Sequence, residues 1–123
     1  MLNKSKIISF VATSNANIAR KFYEETLGLT FLYEDQFAIV FEDNGMMLRI
    51  QIVDNLDPAG HTVLGWQVSD IKKSIEALTM KGVKFNKYVG LDQDDDGIWI
   101  APTKAKIAWF NDPDKNTLSL TQF

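Results

Sequence analysis

Ala-Trp-Phe-Asn-Asp-Pro-Asp-Lys-Asn-Thr-Leu-Ser-Leu-Thr-Gln-Phe (Ala108–Phe123) reads as a strand, a tight turn and a second strand. Asp112 followed by Pro113 favours a type I turn, because Pro presets φ and the Asp carboxylate accepts hydrogen bonds from the backbone ahead of it. Past the turn, Leu118 and Leu120 fall on one face of the strand while Ser119 and Thr121 fall on the other. A chain that ends in such a hairpin has one face to bury and one left for other work.

Upstream segments supply the elements that this hairpin joins. Ile7–Thr13 is a strand, and Ser14 or Asn15 can cap a following helix whose stripe is Ile18, Phe22 and Leu27. Gly28 stands where a left-handed stop is wanted. Thr30–Glu34 is a further strand, and Phe37–Glu42 and Met46–Val53 flank Asp43-Asn44-Gly45, a hairpin signal because Asn-Gly tolerates positive φ. The order then recurs: Thr62–Val68 a strand, Ser69 or Asp70 a cap, Ile71, Ile75 and Leu78 a helical stripe, Gly82 a stop and Val83–Val89 a strand.

The recurrence has a fixed spacing. Ile18 and Ile71, like Phe22 and Ile75, are 53 residues apart, and Gly28 and Gly82 are 54 apart. Leu27–Phe31 (Leu-Gly-Leu-Thr-Phe) is echoed by Lys81–Phe85 (Lys-Gly-Val-Lys-Phe). Self-similarity near half the chain length indicates a duplicated βαβββ unit. The expected boundaries are about 5–54 for the first module and about 61–123 for the second, within a single domain of 1–123.

Composition limits what such a domain does. With 123 residues, 46% hydrophobic and 24% charged, the chain can bury a real core and is not of disordered type. A net charge of −3 without a basic stripe gives no reason to expect nucleic acid as a partner. No apolar run approaches the roughly 20 residues needed to span a bilayer. The start, Met-Leu-Asn-Lys-Ser-Lys, runs into a strand and lacks the apolar core of a signal peptide, so no membrane partner and a cytoplasmic location are expected. There is no Cys and one His, which removes thiolate metal sites and leaves His61 as the single imidazole.

Four segments carry a family resemblance. They are Ala19–Leu29, with Phe-Tyr-Glu-Glu-Thr-Leu-Gly-Leu at its end, Leu64–Ile71, Lys81-Gly82-Val83, and the Asp-Pro-Asp-Lys-Asn turn of Asp112–Asn116. In their order and spacing they resemble the vicinal oxygen chelate superfamily of glyoxalase I, extradiol dioxygenases and bleomycin-resistance proteins. The resemblance implies an α+β fold of two tandem βαβββ modules. Their sheets would form a curved, cupped mixed surface with helices on the convex side and the ligand site in the concavity.

The resemblance also locates the metal ligands of the metal-dependent members. They fall at Ser119, at Val63, at Ile8 or Ser9, and at Arg49 or Gln51. None is a good ligand, and Arg opposes a cation. His61, two residues before Val63, shares its strand face only if the strand extends that far, and a solvated loop His is the plainer reading. Asp92–Gly97 matches the start of an EF-hand loop, but the twelfth position is Thr103 and the flanks read as strand. A solvated acidic connection is expected there. No metal and no cofactor is predicted.

What the cup would hold follows from alternation. Leu48, Ile50 and Ile52 share the face beneath a helix, so Met47, Arg49 and Gln51 face the cup, joined by Val63, Gln67, Ser119 and Thr121. Arg49 is either the anchor for an anionic group of a small ligand or the partner of a carboxylate such as Glu42. Trp66 alternates with Leu64 and Val68 and is assigned to the helix side; Trp99 and Trp109 have no assigned face. No phosphate loop, nucleophile elbow or supported triad is present, and Glu42 is an unmarked candidate acid/base. The favoured function is metal-free binding of a small molecule, anionic if Arg49 is its anchor, by a homodimer. The alternatives are a lyase of the lactoylglutathione lyase type or a dioxygenase with a non-standard metal site, and drug sequestration.

Overall fold

Two strand–helix–three-strand modules follow one another in the chain, as the internal repeat predicts, and the fold is α+β. The computed structural model describes residues 1–123. Its compact units are Met1–Asp57 and Pro58–Phe123.

In the first unit, β1 (Ile8–Thr13) leads to α1 (Ala16–Lys21), then β2 (Phe31–Glu34), β3 (Ala38–Asp43) and β4 (Met46–Ile52). The sheet order is β1-β4-β3-β2, with β1 parallel to β4 and the other pairs antiparallel. Asn15 caps α1 by accepting from Ile18 N at 3.2 Å, the second of the two caps expected. The helix then widens to a π turn over Phe22–Thr26, closed by Leu27 N donating to Phe22 O at 2.9 Å, and Gly28 ends it at φ 72°. Asn44 and Gly45, at φ 52° and 75°, form the tight hairpin between β3 and β4.

The expected helical stripe needs correction. Ile18 is 52% exposed, and the buried positions are Ala19 and Tyr23, one helical turn apart. Tyr23 fills the space that an aliphatic stripe would have filled. Its ring lies 5.3 Å from Phe22 and 6.1 Å from Phe41, which pairs edge-on with Phe31 at 6.1 Å. Val11, Ile39, Phe41, Leu48 and Ile50 complete this core, and each contributes roughly 1.5–3 kcal/mol when fully buried.

The second unit repeats the plan with β5 (Thr62–Gln67), α2 (Ile71–Met80), β6 (Trp99–Ile100), β7 (Lys106–Asn111) and β8 (Thr117–Gln122), in sheet order β5-β8-β7-β6. Asp70 caps α2 by accepting from Lys73 N at 3.2 Å. Val83 N donates to Leu78 O and Gly82 N to Thr79 O, the paired bonds of a glycine-terminated helix, with Gly82 at φ 93°. Ile71 N also donates to Gln122 Oε1 at 2.9 Å, which ties the start of α2 to the face of β8 that carries Leu118 and Leu120.

A second correction concerns Val83–Val89, which does not form a strand. It touches β7 through a single bridge, Phe85 to Phe110, and through Asn86 N donating to Trp109 O. The reason lies in the loop that follows. Gln93 donates to Asn86 O and Gly97 O, both at 2.8 Å, and accepts from Tyr88 N, so the backbone polar groups here are met by a side chain and not by a ladder. Asp94 Oδ1 accepts from Asp96 N and Ile98 N, each at 2.9 Å, which makes the acidic run a hydrogen-bonded turn that delivers Trp99 to β7.

Candidate functional site

Each sheet has one face against its helix and one face turned away from it. In the first sheet the strand registers align Ile8 with Met47, Phe10 with Arg49, and Ala12 with Gln51, all on the far face. Across β3 and β2 the middle row continues from Arg49 to Val40 to Tyr33. Met47, Arg49 and Gln51 therefore share the stripe that alternation predicts. Met47 and Arg49 are half-buried and Gln51 is exposed.

Arg49 does not pair with Glu42 or any other carboxylate. Arg20, by contrast, pairs with Glu24 at 3.4 Å and Glu34 at 4.0 Å, and its guanidinium also covers the Phe31 ring at 3.7 Å. Arg49 instead donates from Nη1 to the Tyr33 hydroxyl at 3.0 Å. Tyr33 was not among the predicted site residues, because the irregular register between Phe31 and Tyr33 hides its side from a simple alternation count. Asp35 lies within electrostatic reach of Arg49. Its carboxyl is held below the usual range first by the backbone N–H groups of Phe37 and Ala38, which donate to Oδ1 at 2.8 and 2.9 Å, and then by the Arg49 charge. A cation with one neutral partner and no salt bridge keeps donors for an anion.

In the second sheet, Gly65 pairs with Ser119 and Gln67 with Thr121. On the other side of β8, Trp109 pairs with Ser119 and Ile107 with Thr121. Ser119 is 8% exposed, Thr121 half-buried and Gln67 exposed. Between Thr62 and Leu64 the β5 register shifts, so the alternation that selects Val63 breaks at that residue. Val63 is half-buried, and it is Thr62 whose hydroxyl accepts from Trp109 Nε1 at 3.1 Å. Trp66 keeps its expected place on the helix side, stacked on the buried Phe110 at 6.4 Å.

Trp99 and Trp109 acquire a face from the register. Trp109 stands beside Ser119, its ring 6.1 Å from Trp99 and 5.7 Å, nearly perpendicular, from Tyr88. Asn86 Nδ2 donates to the Tyr88 hydroxyl at 3.2 Å and to Asn111 Oδ1 at 2.9 Å, which fixes the outer ring. Beside Trp99 a pocket of about 250 Å³ is lined by Asp92, Gln93, Asp94 and Ile100.

The donor set does not suit a metal. No group of three or more His, Cys, Asp or Glu side chains is arranged to hold a metal ion, and His61 is exposed ahead of β5. Ile8 and Arg49 lie on the far face of the first sheet and Ser119 on that of the second, and none offers an imidazole, thiolate or carboxylate.

Comparison with known proteins agrees with the fold. A family model described as the Glyoxalase/Bleomycin resistance protein/Dioxygenase superfamily matches residues 7–120. No curated protein matches the chain. Among solved structures, a member of the same superfamily from Sphaerobacter thermophilus is similar with a TM-score of 0.77 at 22% identity, covering 100% of each chain. The bleomycin resistance determinant encoded on the transposon Tn5 is similar with a TM-score of 0.75 at 17% identity, over 97% of this chain and 98% of that one. Lactoylglutathione lyase from Agrobacterium tumefaciens is similar with a TM-score of 0.74 at 12% identity, over 97% and 93%.

Proposed function

The chain belongs to the glyoxalase/bleomycin resistance protein/dioxygenase superfamily, and from that premise we propose that it binds a small anionic organic molecule without a metal. Arg49 is the anchor. The observation that carries this reading is a half-buried arginine with no carboxylate within salt-bridge distance, its guanidinium steadied by the Tyr33 hydroxyl on the far face of its sheet. A guanidinium meets a carboxylate or phosphate through two parallel hydrogen bonds, and Arg49 keeps donors for them. Met47 and Gln51, on the same stripe of the first sheet, are the proposed lining beside it; Val63, Gln67, Ser119 and Thr121 are proposed as ligand-facing residues of the second unit, taken by itself.

The metal-dependent lyase and dioxygenase readings lack donors at the positions where the resemblance puts them. Protein purified without added metal and dialysed should contain zinc, nickel, iron and manganese well below one equivalent. Stoichiometric retention of any of them would overturn the metal-free reading. No helix is long and apolar enough to cross a membrane. A cytoplasmic homodimer is the remaining part of the proposal, and sedimentation equilibrium decides the stoichiometry.

Ligand binding is tested by thermal shift against inorganic phosphate and a series of small carboxylates. A ligand present at 100 times its Kd raises stability by about 2.7 kcal/mol, enough for a clear rise in Tm. Arg49→Ala should remove the rise for every anion that produces one. A rise that survives Arg49→Ala removes Arg49 from the site.

A further inference from the structure

We propose that the far face of the second sheet is a slot for a planar aromatic ligand, walled by Trp109 and Trp99 and hydrogen-bonded at its floor by Ser119. The floor is unusual in its chemistry. Ser119 is 92% buried by its 8% exposure, yet its hydroxyl makes no hydrogen bond within the chain. Every fully buried side-chain polar atom of the protein has a partner, so this hydroxyl is one that an incoming group reaches. A serine hydroxyl both donates and accepts, so it can bond to a hydroxyl or a carbonyl at the edge of an incoming ring.

Room for the Ser119 hydroxyl is left by Gly65, its register partner on β5. A Cβ on Gly65 would lie 2.5 Å from Ser119 Oγ, a clash. Gly65 shows no positive φ, so the glycine is explained by room and not by backbone conformation. On the other side of Ser119 stands Trp109, its register partner on β7. The Trp109 ring is pinned by its N–H bond to Thr62 Oγ1 and by the edge contact with Tyr88, and Trp99 extends the wall at 35° to it. Both Trp99 and Trp109 are half-buried, whereas Trp66 already fills the helix-side core. A wall held rigid before binding loses little entropy when a ring stacks on it. The ligand class is a flat aromatic or heteroaromatic molecule with a hydroxyl or carbonyl at its edge.

This names the class of small molecule under the binding function proposed above, but it uses no charge and does not involve Arg49. The probe is therefore neutral: coumarin carrying a 7-hydroxyl group, titrated into the ¹⁵N-labelled protein below the pH at which that hydroxyl ionises, with the three indole N–H resonances as reporters. The Trp109 and Trp99 signals should shift saturably and the Trp66 signal should stay still. Gly65→Ala should abolish the shifts. The milder Ser119→Ala, which leaves the wall intact, should weaken binding about fivefold, the fold-change expected for one neutral hydrogen bond. Loss of the coumarin shifts while the anion-induced rise in Tm persists overturns this slot alone, and loss of the anion rise while coumarin still shifts the indoles overturns the Arg49 site alone. Absence of saturable shifts up to the probe's solubility limit overturns the proposal, as does a Trp66 shift as large as that of Trp109 or unaltered binding in folded Gly65→Ala.

Discussion

Arg49 donates to the Tyr33 hydroxyl at 3.0 Å across the width of β3, so two residues from strands that do not pair share one hydrogen bond. The bond aims the guanidinium without neutralising it. Tyr33→Phe keeps the ring and removes the acceptor, which frees Arg49 to sample other rotamers. Affinity for the anions that Arg49 binds should fall about fivefold, the equivalent of roughly 1 kcal/mol for a neutral hydrogen bond. Isothermal titration with phosphate or the best carboxylate checks it. Equal or tighter binding would show that Tyr33 competes with the ligand and does not position the arginine.

Asp35 links the same arginine to pH. Its folded carboxyl lies below the ordinary value of about 3.9 because two backbone N–H groups and then the Arg49 charge favour the ionised form. A lowered folded pKa means that the unfolded state binds protons more readily than the native state. The stabilisation is therefore complete above the ordinary carboxylate range and fades as pH falls through the folded value. In urea unfolding, the stability difference between the wild type and D35N should be flat from pH 5 to pH 8 and shrink below about pH 4. A difference that does not vary between neutral and strongly acid pH would refute the assignment.

Asp112 organises the terminal turn more tightly than a surface hairpin requires. Its Oδ1 accepts from Asp114 N and Asn116 N at 2.9 Å, and its Oδ2 accepts from Asn116 Nδ2 at 2.8 Å, with both residues about 5% exposed. Asp112→Ala strands buried donors. The expected loss is about 2–3 kcal/mol, the range for breaking a buried polar cluster bonded to a charged group. Chemical denaturation should show a lower midpoint with an unchanged slope. A loss below about 0.5 kcal/mol would place the turn with ordinary surface sites.

The sequence exposed the fold through its punctuation. Asn15, Asp70, Gly28, Gly82 and the Asn44-Gly45 turn all act locally, through caps and positive φ, and all hold. Ile18 and Val83–Val89 misled because each turned on tertiary context: Tyr23 took the buried place of the aliphatic stripe, and Gln93 met the backbone groups that a strand would have used. The stripe of Met47, Arg49 and Gln51 was legible because β4 has an uninterrupted register. Thr62 and Tyr33 were not, because register irregularities in β5 and β2 defeat a count of two. Trp99 and Trp109 needed the pairing of β6, β7 and β8, which no local signal carries.

One residue of the turn is out of step with its backbone. Lys115 adopts φ 69°, the left-handed region that favours glycine, and its N–H donates to Asp112 O at 3.0 Å. The left-handed conformation costs an L-residue with a Cβ roughly 1–2 kcal/mol, whereas glycine adopts it freely and gives back about 0.5–1 kcal/mol in unfolded-state entropy. Lys115→Gly should therefore stabilise the protein by about 0.5–1 kcal/mol, because the relief of strain exceeds the entropy lost. Lys115→Ala, which keeps the Cβ and removes only the charged stem, should give none of this gain. Equal stabilisation by both variants would trace the effect to the lysine charge and not to φ.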